Sequence, residues 1–204
     1  MTDLAQRPAQ DDPTRPVALI VLAAGAGTRM NSELPKPLHE LAGRPLVAHA
    51  LAAGRALDPE RVIVVTGHGA EAVEQAVAEA DAEAICVRQA EQKGTGHAVL
   101  QAAPALEGFR GDAVVLYADT PFLTPDTLER LRAARADHDV VVLGFETTAP
   151  GRYGRLVMEG EALTRIVEFK DATPQELAIS RCNSGVMAAD AATLMAHLAR
   201  IEPK

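Results

Sequence analysis

Tryptophan is absent from this chain of 204 residues, and aromatic residues make up only 3% of it. Apolar residues still reach 48%, so a core must be packed mainly by Ala, Val and Leu. A chain of this size buries roughly 70% of its unfolded surface, which is enough to fold without a disulfide or structural metal. Cysteine is scarce as well: Cys86 and Cys182 lie in apolar segments and have no metal-ligand spacing, which points to a reduced, cytoplasmic protein. No apolar run approaches the ~20 residues of a membrane span, the longest being Val17 to Ala24. The first sixteen residues lack the apolar stretch of a signal peptide and read as a disordered tail rich in Pro and Asp. An excess of basic charge is missing too. The net charge of −8 excludes a nucleic-acid-binding face but leaves room for a small nucleotide, which needs one or two placed cations.

What is present is an alternation. Apolar strand-like runs at Val17–Ala23, Arg61–Gly67, Ala84–Gln89, Ala113–Asp119 and Asp139–Thr147 are separated by helical patterns. Those patterns start at Arg44, Ala70, Thr95 and Thr124; the third runs to Leu106 with Thr95 as its cap, and Pro45 suits the first position of the first. Such a rhythm predicts an α/β fold with a doubly wound, mostly parallel Rossmann-like sheet. After Pro150 the pattern becomes a β-hairpin around "EGEA", followed by a strand at Asn183–Ala189 and a last helix capped by Asp190. No internal repeat or low-complexity segment interrupts residues 17–204, which read as one domain.

The first strand runs into "LAAGAGTRM", residues Leu22 to Met30. It lacks the GxxxxGK[ST] of a P-loop, and Met30 stands where a dinucleotide fingerprint needs its third glycine. Pro35 and Pro37 then block a regular helix, so a long loop with exposed amides carries Arg29 and Lys36 at the carboxyl edge of the sheet. That is a polyphosphate clamp, or else a tight turn with two solvated cations. Asp119 ends a strand on the same edge and is a candidate magnesium ligand or a helix-capping residue. Gln89 and the turn Gly94-Thr95-Gly96 offer an amide and backbone groups that suit the edge of a base, or simply cap a helix.

Together these residues resemble the sugar-nucleotidyltransferases, whose opening pattern L-A-[AG]-G-x-G-[TS]-R-M is followed by P-K, here Pro35-Lys36. "TGHG", "QAEQKGTGHA", "LYADTPF", "GRYGRL", "IVEFKDAT" and "CNSGV" follow in order, and within that family they are most similar to the uridylyltransferases acting on N-acetylglucosamine-1-phosphate. The resemblance implies Mg²⁺-dependent transfer of a uridylyl group from UTP to N-acetylglucosamine-1-phosphate, giving UDP-N-acetylglucosamine and pyrophosphate. It implies that Leu22, Ala23, Ala24, Gly25 and Lys36 hold phosphates, that Gln89, Gly94 and Thr95 read uracil and ribose, and that Asp119 binds Mg²⁺. Gly154, Glu168 and Asn183 would contact the N-acetylglucosamine, and Arg29 would steady the triphosphate charge.

Ala26 and Ala118 depart from residues more usual in the family. The family also continues past this point into a second metal ligand and a β-helix that acetylates glucosamine-1-phosphate and builds a trimer. The expectation for a chain stopping at "IEPK" is therefore a truncated nucleotidyltransferase domain whose oligomeric state is not readable. The competing readings are a nucleotidyltransferase of other base or sugar preference, a sugar-nucleotide-binding module without turnover, and an NAD-dependent dehydrogenase.

Overall fold

A computed structural model describes residues 15–25, 27 and 32–201. It divides into two compact units, one of Met1–Val141 with Ala188–Lys204 and one of Val142–Met187.

The first unit is built around the strand β1 (Val17–Ala23), buried along its whole length. Parallel pairing joins it to β4 (Arg61–Thr66) on one side and to β6 (Asp112–Tyr117) on the other, and β5 (Ile85–Arg88) pairs parallel beyond β4. Between β1 and β4 the chain makes a small antiparallel pair, β2 (Glu40–Leu41) with β3 (Arg44–Pro45), and then the helix α1 (Leu46–Arg55). The remaining helices are α2 (Ala70–Ala80), α3 (Thr95–Leu100), α4 (Pro125–Ala134) and, after the second unit, α6 (Ala191–Leu198). They pack in two sets, α1 against α2 and α4, and α3 against α6, with both sets reaching the sheet.

Continuous apolar runs make β1, β4 and β6 two-sided core strands, as parallel sheets covered by helices require. Each fully buried Val, Leu or Ile contributes about 1.5–3 kcal/mol. Small residues let the layers close: a Cβ on Gly54 of α1 would stand 2.3 Å from Leu19 Cδ2 on β1. In a core short of aromatics, close approach of backbones replaces bulk.

The second unit is antiparallel. Strands β8 (Arg155–Glu159) and β9 (Ala162–Val167) form the expected hairpin, with a bulge between Val157 and Met158. β7 (Val140–Glu146) enters the unit and β10 (Arg181–Asp190) leaves it, pairing with β7 and, through Cys182 opposite Arg155, with β8. A short helix α5 (Pro174–Leu177), not anticipated from the sequence, is fixed by a reciprocal cap between Thr173 and Glu176.

Some local expectations need correction. The helix expected from Thr95 to Leu106 ends at Leu100, because Pro104 cannot supply an N–H to a continuing helix; Pro104–Leu106 instead forms a 3-10 turn. Thr95 is not its cap: Gly94 holds that place at φ +93°, a left-handed conformation that suits only glycine. Pro45 caps α1 from outside rather than opening it. Thr124 and Asp190 do cap their helices, accepting from Thr127 N at 3.3 Å and Thr193 N at 2.9 Å. No helix among the described residues is long and apolar enough to cross a membrane, and Cys86 and Cys182 are both free.

Candidate active site

The carboxyl ends of β1, β4, β5 and β6 lie side by side, and a cavity of about 280 Å³ opens over that edge. Its floor is the continuation of β1, Leu22 to Gly25. A Cβ on Gly25 would meet no described residue within 4 Å. Ala24 O fixes this floor by accepting from His68 N at 3.3 Å and from Gln92 Nε2 at 3.0 Å, which ties the loops after β4 and β5 to the end of β1.

Lys36 enters from one side. Pro35 and Pro37 shape the chain into a 3-10 turn at Lys36–Leu38, with Leu38 N donating to Pro35 O at 2.9 Å. Asp119 enters from the other, in a turn just beyond β6 that Thr120 closes by donating from its N–H and Oγ1 to Tyr117 O. Lys36 Nζ and Asp119 Oδ2 form an ion pair. Both side chains stay about one-third exposed, open to exchange this contact for a ligand.

The third wall comes from the segment after β5. Gln89 is buried, and its backbone N–H continues the ladder to Thr66 O at 2.8 Å. Its side-chain Nε2 donates to Gly94 O at 3.1 Å, which fixes the turn that presents Gly94 and Thr95. Behind this wall Arg88 grips Glu74 of α2 through two 2.7 Å hydrogen bonds. Those bonds, with a further one from Thr66, hold the Glu74 carboxyl below its usual range.

Nine residues named from the sequence thus line one cavity: Leu22 to Gly25, Lys36, Gln89, Gly94, Thr95 and Asp119. Within the second unit, Gly154, Glu168 and Asn183 come together separately. Asn183 N donates to Gly154 O at 2.8 Å, and a Cβ on Gly154 would stand 3.3 Å from Glu168 Oε1. Arg29 lies outside the described residues. Sequence reasoning missed Gln92, Pro37 and Tyr117 as lining residues. Gln92 carried a signal, since it sits inside the "QAEQKGTGHA" stretch, but only the fold shows its amide reaching back to Ala24.

The donor set suits one kind of divalent cation. Asp119 is the one carboxylate among the described lining residues, and no described group gathers three or more His, Cys, Asp or Glu. This is no all-protein cage of the kind Ca²⁺ or structural Zn²⁺ takes. It fits a hard cation held by one carboxylate and completed by phosphate oxygens and water.

Comparison with known proteins gives the family and the fold. The family model of the MobA-like NTP transferase domain matches residues 19–196. The bifunctional protein GlmU of Jannaschia sp. (strain CCS1) is 65% identical over 187 residues, covering 92% of this chain and 41% of that protein. The bifunctional protein GlmU of Dinoroseobacter shibae is 69% identical over 180 residues, covering 88% and 40%. The chain therefore spans about 40% of the length of these curated relatives. Among solved structures, UDP-glucose pyrophosphorylase complexed with UDP-glucose superposes with a TM-score of 0.75 at 20% identity over 93% of this chain and 81% of that one. A putative glucose-1-phosphate thymidylyltransferase from Bacillus anthracis gives 0.73 at 19% identity over 92% and 76%. At such identities the two structures speak for the doubly wound nucleotidyltransferase fold.

Proposed function

The chain belongs to the MobA-like NTP transferase domain family, and we infer that it joins UTP to N-acetylglucosamine-1-phosphate. A sugar-phosphate oxygen attacks the α-phosphorus of UTP, the bond from that phosphorus to the bridging oxygen breaks, and pyrophosphate leaves with its electron pair. The product is UDP-N-acetylglucosamine. The single observation that carries this reading is the convergence of Lys36, Asp119 and the Gln89–Gly94–Thr95 wall on one cavity.

A phosphate monoester is already about doubly ionised near neutral pH, so its oxygen needs no general base. The barrier is repulsion between anions, and catalysis rests on neutralisation and in-line placement. Lys36 leads the sugar phosphate in, the backbone of Leu22 to Gly25 cradles phosphate oxygens, and Arg29 balances the departing pyrophosphate. Asp119 would hold Mg²⁺, which would supply positive charge against the repulsion between the anionic substrates. Gln89, Gly94 and Thr95 read uracil and ribose. Gly154, Glu168 and Asn183 contact the acetylated sugar. Residues 17–204 serve as the nucleotidyltransferase domain, working in the cytoplasm where nucleoside triphosphates are made.

The test is pyrophosphate release by this chain from UTP, N-acetylglucosamine-1-phosphate and Mg²⁺, with CTP, dTTP and glucose-1-phosphate alongside. Selective turnover of the first set supports the reading. Binding of UDP-N-acetylglucosamine without turnover reduces it to a sugar-nucleotide-binding domain, and absence of both overturns it.

A further inference from the structure

Arg155 opens β8 and is only 2% exposed, yet its guanidinium meets carbonyl oxygens rather than a carboxylate. Nη1 donates to Tyr153 O and Nη2 to Gly151 O at 3.1 Å, while the buried Nε has no hydrogen-bond partner among the described residues. A buried arginine is normally paired with an acid, and burying one without that partner costs stability. Local rules are broken in this way chiefly at functional sites.

The two carbonyls belong to one turn, which Tyr153 N closes on Pro150 O at 3.2 Å. A trans peptide sets its N–H opposite to its carbonyl. Holding Tyr153 O against the guanidinium therefore turns the N–H of Gly154 away from it. Gly154 is buried, and that N–H has no acceptor among the described residues. Buried backbone donors without a partner are rare. The carbonyl of Gly154 is fixed separately, accepting from Asn183 N at 2.8 Å. Asn183 uses its Oδ1 to accept from Gly185 N at 2.9 Å, which leaves its Nδ2 to donate. The Glu168 carboxylate, whose Oε1 would lie 3.3 Å from a Cβ on Gly154, belongs to an exposed residue. Two uncommitted donors beside an open carboxylate suit a polyol, whose hydroxyls both accept and donate.

We propose that Arg155 is a positioning residue for the sugar: by gripping Tyr153 O it aims the Gly154 N–H at an oxygen of the bound N-acetylglucosamine. With that peptide turned over, the sugar would meet a carbonyl where it needs a donor, and the guanidinium would face an N–H. The second grip, on Gly151 O, resists that turn by holding the other end of the loop. The proposal rests on the reading that Gly154 contacts the sugar, and deepens it by naming what sets the direction of the contact.

The test is equilibrium binding of UDP-N-acetylglucosamine and of UDP, read together with the amide resonance of Gly154 in an isotope-labelled chain and the urea midpoint of each variant. In the unmodified chain UDP-N-acetylglucosamine should move the Gly154 amide proton downfield, and UDP should leave it in place. Arg155→Met should bind UDP within about twofold of the unmodified chain but bind UDP-N-acetylglucosamine about tenfold more weakly, the worth of one hydrogen bond. Arg155→Lys, which keeps a donor for one carbonyl, should recover part of that loss. An Arg155→Met chain that loses urea stability while binding both ligands as before overturns the proposal, because that is what a purely structural residue would do. The resonance needs no variant to fold: UDP-N-acetylglucosamine that binds the unmodified chain and leaves the Gly154 amide unmoved overturns the proposal with the functional reading intact. An unmodified chain that does not bind UDP-N-acetylglucosamine overturns that reading, and the proposal with it.

Discussion

Lys36 and Asp119, 83 positions apart in the chain, close on each other as an ion pair at the mouth of the cavity. Each is the counter-ion of the other while no phosphate is bound. In the proposed reaction ligand binding would separate their tasks, the ammonium turning to phosphate and the carboxylate to the cation. The pair is partly exposed, so water screens it and its net contribution to stability is about 0–1 kcal/mol. Lys36→Met should leave Tm within a few degrees while lowering kcat/KM by about 10²-fold. A matching loss of Tm would make Lys36 structural.

Asp119→Asn tests the other partner. Asn keeps the shape but loses the charge a hard cation needs. The Mg²⁺ concentration for half-maximal activity should rise at least about tenfold, since even groups behind a ligand are worth that much. Mg²⁺ binding in the presence of UTP, followed calorimetrically, should weaken in parallel. An unaltered titration removes Asp119 from the metal site.

Much of this site was legible because parallel strands place their carboxyl ends on one edge, so apolar runs alone locate Leu22 to Gly25, Gln89 and Asp119 together. The hairpin after Pro150 was legible from its turn. What escaped were features set by single backbone conformations or by distant partners. Gly94 displaced Thr95 as the cap because of its φ, and Pro104 cut a helix that Ala and Leu content favoured. Gln92 acts through a contact with Ala24 that no periodicity encodes.

Gly69 packs against the residue that precedes the Lys36 turn. Its φ is +65°, and a Cβ there would stand 2.3 Å from Pro35 Cγ, next to Lys36. Gly69→Ala should cost about 1–2 kcal/mol in backbone strain, a fall in Tm of roughly 3–6 °C. It should also displace Pro35, raising KM for the sugar phosphate. A lower Tm with unchanged KM would show that the Lys36 turn does not rest on this glycine.

Acid should act through Arg55 and Asp81. Arg55 donates to both carboxylate oxygens, Nε to Oδ2 at 2.6 Å and Nη2 to Oδ1 at 2.5 Å. These hydrogen bonds hold the Asp81 carboxyl below its ordinary range, against the opposing effect of burial. A carboxylate whose folded pKa is depressed adds stability that is complete above its unfolded pKa, about 4, and is lost as pH falls through the folded value. The stability gap between the unmodified chain and Arg55→Gln should be constant above about pH 5 and should close below about pH 4. Urea denaturation at each pH measures it, and parallel curves would remove the pair from the acid response.

Arg135, at the end of α4, is 2% exposed, as deeply buried as Arg155 among the described residues. Its Nη1 donates to His138 O at 2.6 Å, and its Nε faces Asp112 Oδ1 at 3.2 Å without an aligned hydrogen bond. Burial raises the Asp112 carboxyl pKa against the pull of Arg135 and Arg15. Arg15 lies 3.6 Å from Asp112 and also reaches Asp190, the cap of α6, at 2.7 Å, so a partly exposed pair ties the chain just before β1 to the last helix. Removing Arg135 leaves the buried Asp112 carboxyl with the Arg15 guanidinium, 3.6 Å away, as its nearest counter-charge; breaking a buried pair in this way typically costs about 3–5 kcal/mol. Arg135→Met should therefore destabilise the chain by that amount in urea, whereas replacing both partners in Arg135→Met with Asp112→Leu should recover a large part of the loss. If the double variant falls by the sum of the two single losses, the residues act independently and the buried pair is not what holds this corner together.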